Sequence, residues 1–131
     1  MMKCTKLEIA VSSLTTARKL FADGDYISSN ILAGAGQQIL RDLCISRGIE
    51  ATIATLSSST GHPVNDIHNL VVNSYNKMKH ADKDPNDDIE VSEDAPRALI
   101  VLAATDLMRL NEPPSKDMVE FIEFAKSIKT S

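Results

Sequence analysis

The sequence predicts an all-α fold: an up-and-down bundle of four to five main helices plus one short helix. It reads as one domain, residues 1-131, with a core over about 5-129. Three observations carry this. Apolar residues recur at helical spacing in five long segments, with no sustained period-two alternation and no strand–helix–strand rhythm. Hydrophobic residues make up 43 % of the chain and aromatic residues only 4 %. The core must then come from Leu, Ile, Val, Ala and Met, which suit packed helices better than a β-sandwich. Connections are short, so consecutive helices should pack antiparallel.

The first helix is expected from about Thr5 to Ala22, with Leu7, Ala10, Val11, Leu14, Ala17 and Phe21 on one stripe and Gly24 at a left-handed stop. Asp25 caps a second helix from Tyr26 to about Arg47, whose apolar set is Ile27, Ile31, Leu32, Ala35, Ile39, Leu40 and Leu43. Inside it stands Ala33-Gly34-Ala35-Gly36. Each mid-helix glycine costs about 1 kcal/mol against Ala, and close approach of a neighbouring helix explains the expense. A phosphate-cradling loop would need these glycines between a strand and a helix. Ile49 to Leu56 is read as the short helix and Ser57 to Gly61 as a loop.

Pro63 suits the first turn of a helix reaching Ala81, with Val64, Ile67, Val71, Tyr75 and Met78 as its stripe. Pro85 blocks its continuation into the acidic loop. Ser92 or Asp94 caps the next helix, with Pro96 in its first turn, and its body from Ala98 to Leu110 is apolar on most sides. Such a helix belongs at the bundle's centre. Pro113 and Pro114 break the chain, and Ser115 caps a last helix through about Lys129, with the stripe Met118, Val119, Ile122, Ala125 and Ile128.

The net charge of −4 argues against a broad nucleic-acid footprint. The acidity is local: Asp82 to Asp94 holds seven acids and one base, a charge of −6, and the rest carries 13 bases and 11 acids, or +2. Cys4 and Cys44 lack a CxxC spacing and are read as reduced, which with the absence of a signal peptide points to the cytoplasm. No run approaches the ~18 apolar residues of a membrane span.

The candidate chemistry centres on Lys79-His80-Ala81-Asp82-Lys83-Asp84-Pro85. His80 has two readings: a histidine at a helix C-terminus bonded to a carboxylate, or a general acid/base. Arg41, Asp42, Lys79, Asp82 and Asp84 are the candidate ligand-binding residues, with the Arg41-Asp42 pair expected to meet the His80 region across the bundle. His62 and His68 are six residues apart and make no HxxxH zinc pair. Asp82, Asp84, Asn86, Asp88 and Glu93 place oxygen ligands at EF-hand spacing, an alternative metal site, although Asp87 stands where that loop needs Gly. No cofactor motif occurs and no cofactor is expected.

The stretch Ala17 to Tyr26, running into Ala33-x-Ala35, resembles the first helical hairpin of HEPN domains, and Asn73 to Asp82 with Ser92 to Ala95 resembles the end of such domains. The Lys79–Pro85 string is also similar to a group of uncharacterised bacterial proteins with a Lys-His-Ala-Asp-basic-Asp-Pro signature. The resemblance implies a helical bundle, often dimeric, and in many members a metal-independent RNase built on an Arg and a His with four to six residues between them. His80 matches the His; the Arg position falls at Tyr75, Ser74 or Asn73, none of which is Arg. Asn73 would contact phosphate without adding charge. Three functions follow: a non-catalytic interaction or regulatory domain acting as a homodimer, with a protein partner; a HEPN-like RNase or nucleotide-binding protein using His80 and Asn73; and a calcium-binding loop.

Overall fold

The computed structural model describes residues 1–127, with side chains to 123, as six helices. They are α1 (Lys6–Ala22), α2 (Tyr26–Ser46), α3 (Thr52–Thr60), α4 (Val64–Lys79), α5 (Asp94–Arg109) and α6 (Lys116–Ser127). No strand occurs among the described residues. The expectations for Ile128 and Lys129 lie outside those residues, as does the side chain of Ala125.

Local chemistry explains most boundaries. Thr5 and Glu8 form a reciprocal capping box on α1, Asp25 accepts the Ser28 N–H on α2, and Ser115 accepts the Met118 N–H on α6. Gly24, Gly48 and Gly61 take left-handed conformations where α1, α2 and α3 stop. Asn111, with φ of 61°, does the same after α5.

α5 is the central element, touching all five other helices and burying Leu99, Ile100, Leu102, Ala103, Ala104 and Leu107. α1 runs antiparallel to α2: the Ser29 hydroxyl donates to the Ala17 carbonyl at 2.7 Å, and Gly36 lies against Ala10 and Leu14. α2 and α5 run parallel, with Tyr26 beside Glu93 at one end and Cys44 beside Asp106 at the other. α4 lies antiparallel along α2, and α6 packs on α1 through the T-shaped pair Phe21–Phe121.

Three expectations are corrected. The short helix is Thr52–Thr60, not Ile49 to Leu56, and the serine run belongs to it. Ile49 is instead held in the turn closing α2, its N–H bonded to the Cys44 carbonyl. The Ser59 and Thr60 hydroxyls bond back to the Leu56 carbonyl, so the run stays helical. Ala51 offers no side-chain cap to α3, and Asp106 of α5 replaces it: its Oδ1 accepts from the Thr52 N–H at 2.8 Å and the Thr52 hydroxyl at 2.7 Å.

The second correction concerns α2. Its buried face is Ser29, Asn30, Ala33, Gly34, Gly36, Gln37, Leu40 and Cys44, while Ile27 and Ile31 of the expected stripe are exposed. The cause is geometric: α2 is enclosed by α1, α4 and α5, and small residues let those helices approach. A methyl on Gly34 would overlap the Tyr75 ring, and one on Gly36 would lie 3.3 Å from the Ala10 carbonyl oxygen. Close packing of neighbours is thus what the Ala33–Gly36 glycines serve.

The third concerns the start of α5. Glu93 occupies the cap position without a side-chain cap bond, and the Ser92 hydroxyl accepts the Asp94 N–H at 3.3 Å. Arg97 closes the first turn, pairing with Glu93 at 2.8 Å and Asp94 at 3.0 Å. The last carboxylates of the acidic segment therefore fix the helix start through Arg97.

Candidate functional site

The end of α4 is docked by a row of residues that sequence spacing puts on its inner face. Tyr75 lays its ring over Gly34, Ser74 and Met78 meet the Asn30 amide, and Lys79 Nζ stands 4.6 Å from the Tyr75 ring centroid. This docking fixes where the chain leaves the helix. His80 is the C-terminal cap residue, with extended backbone. Pro85 then keeps residues 81–93 out of helix.

Two hollows share His80. The larger, about 500 Å³, is lined by Asn76, Lys77, His80, Asp82, Lys83 and Asp84. The smaller, about 160 Å³, lies behind it against Met78, Pro85 and Ile89. Lys77 and His80 sit on one side of α4 at i and i+3, so both reach the larger hollow. These side chains are exposed, and among the described residues no ion pair joins His80 to Asp82 or Asp84. The expected bond from His80 to a carboxylate is therefore not formed. Asn73 is exposed two turns upstream and lines neither hollow.

The predicted residues fall into two places. His80, Asp82 and Asp84 share the larger hollow, with Lys79 one residue away over Tyr75. Arg41 and Asp42 line neither hollow, and their charges act instead on His68. Since Asn30 lies level with Met78, Arg41 is eleven residues further along α2, about 16 Å of rise from the His80 level. The antiparallel course of α4 carries the pair to the wrong end to meet His80. His68 is partly buried; burial first, and then the Arg41 charge, hold its pKa below the ordinary histidine value, against the opposing effect of Asp42.

Among the described residues no group of three His, Cys, Asp or Glu side chains converges on a point that could hold a metal ion. The alternative set Asp82, Asp84, Asn86, Asp88 and Glu93 does not form a cation cradle. The backbone gives the reason: an EF-hand loop turns sharply at its sixth residue, and Asp87 does not take the left-handed conformation, which among described non-glycine residues only Asn111 adopts. Glu93 is meanwhile engaged with Arg97.

Sequence reasoning missed Asn76, Lys77 and Lys83 as lining residues, although the i, i+3 and i, i+4 spacing of Lys77 and Asn76 to His80 carried that signal. Comparison of the chain with protein-family models, curated proteins and solved structures finds no match.

Proposed function

We propose that this protein is a non-catalytic helical interaction module that acts as a homodimer in a regulatory role, through the outward face of α2. One observation carries the reading: Ile27, Ile31 and Ile45 are 55 %, 38 % and 56 % exposed. At about 100° per residue, 18 residues complete five turns, so Ile27 and Ile45 share one line and Ile31 lies within about 40° of it. The row spans about 27 Å of helix surface, a length suited to a helix–helix contact between two copies. The hollow at His80 supports the non-catalytic part. Its lysines stand beside Asp82 and Asp84, and no arginine lines it. Two free thiols and no described helix fit to cross a membrane agree with a reducing, cytoplasmic setting.

A HEPN-like RNase or nucleotide-binding role is the second reading, favoured by Lys77, Lys83 and His80 around one open hollow. There Lys77 and Lys83 would hold a phosphate and His80 would move a proton. An RNA-cleavage assay of the purified chain beside His80→Ala separates the two. The interaction-module reading expects no cleavage above background from either protein. Cleavage by the wild-type chain that His80→Ala abolishes would overturn it.

A further inference from the structure

We propose that the seam between α2 and α4 is a binding site for a small organic anion bearing a carboxamide, seated on the side chain of Gln37. Gln37 is fully buried midway along α2, yet neither its Nε2 nor its Oε1 has a hydrogen-bond partner. A buried amide with both groups unmade is costly, and an apolar residue of the same shape would fit there without that cost. The Gln37 amide therefore keeps a donor and an acceptor for a molecule that enters the seam.

Gln37 lies at the floor of a hollow of about 160 Å³, whose wall includes Gly34, His68, Tyr75 and Lys79. Gly34 leaves room for the Tyr75 ring, and Tyr75 supports the Lys79 ammonium 4.6 Å from its centroid, where Lys79 is exposed at the rim. His68, partly buried, completes the wall on the α4 side.

Each wall group selects a part of the ligand. The Gln37 amide presents one donor and one acceptor in a plane, and a second carboxamide answers both with two parallel hydrogen bonds. A neutral imidazole at His68 adds one further donor and acceptor. Lys79 at the rim calls for an anionic group pointing outwards. The volume equals that of about five waters, which admits a compact molecule and excludes a nucleotide. Lys79, already a candidate ligand-binding residue by sequence, is the member of that set that reaches this hollow. The site is independent of the α2 dimer face.

The test uses the full chain labelled with ¹⁵N and titrated with oxamate, malonamate and succinamate, small carboxylates that each carry a primary amide. At least one should give saturable shifts of the Gln37 side-chain NH₂ and of the His68 and Tyr75 amides. Gln37→Leu should weaken that binding by about tenfold or more while the melting temperature stays the same or rises. Lys79→Met, which keeps the stem over Tyr75, should weaken it without abolishing it. The absence of saturable shifts with all three compounds at millimolar concentration would overturn the proposal. So would binding unchanged in Gln37→Leu. Should that variant not fold, the wild-type titration decides, because saturable shifts that leave the Gln37 NH₂ unmoved also overturn it.

Discussion

Gly34 and Tyr75 show how closely the seam between α2 and α4 is fitted, since a methyl on Gly34 would overlap the ring. Gly34→Ala should destabilise the fold by about 1–3 kcal/mol, partly offset by up to about 1 kcal/mol of better helix propensity. Gly36→Ala meets only the edge of the Ala10 backbone and should cost less, a ranking that urea denaturation of the two variants would check. His68 makes a second prediction. Its pKa is lowered in the folded state, so the unfolded chain binds more protons as the pH drops. The contribution is complete above the unfolded value of about 6.5 and is lost as pH falls through the folded value. The His68 ring resonances should titrate with a midpoint below 6.5, which an NMR pH series reads directly. Cysteine reactivity is the third: Cys44 is buried, and burial, then Asp106, raises its pKa above the ordinary thiol value, whereas Cys4 is exposed. A thiol reagent should label one cysteine per native chain rapidly and the second only on unfolding. At this scale the glycine pair was legible because a doubled helix defect needs a neighbour to explain it. Gln37 was not, because a glutamine inside a helical pattern normally reads as a solvent-facing residue, and only the course of α4 buries it.

Among the elements, α3 depends most on distant residues. Its first turn is capped by Asp106, and Arg109 of the same helix donates to the Glu50 carbonyl at 2.9 Å and the Thr55 hydroxyl at 2.6 Å. Asp106→Ala leaves the half-buried Thr52 end without its acceptor, a loss of about 1–3 kcal/mol. Hydrogen exchange should then speed first at Thr52 to Thr55, ahead of α1, α2 and α5; uniform acceleration across all helices would contradict the capping role. A residue 54 positions away in sequence cannot be read as a cap, and so the span of α3 was misplaced. The starts of α1, α2 and α6 were legible because Thr5, Asp25 and Ser115 cap them locally. The central position of α5 was also legible, since its apolar residues surround the helix. The inner face of α2 was not, because Ser29, Asn30 and the glycines do not register as hydrophobic.

For the whole molecule, the fitted core and the exposed isoleucines of α2 point to different tasks. The core uses small residues to bring α1, α4 and α5 against α2, and that close packing turns the bulkier isoleucines outwards. Burying such a row against a second copy would remove apolar surface from water at about 25 cal/mol per Å². The bundle class was legible from periodicity alone. The separation of Arg41 from His80 was not, because it depends on which end of α4 meets which end of α2. Sedimentation equilibrium at micromolar concentration, run on the wild-type chain and on Ile27→Glu/Ile31→Glu, tests the central claim most directly. The account predicts twice the chain mass of 14.3 kDa for the wild type and a folded species of single-chain mass for the variant. A wild-type monomer, or a dimer that survives the two charges, would contradict it.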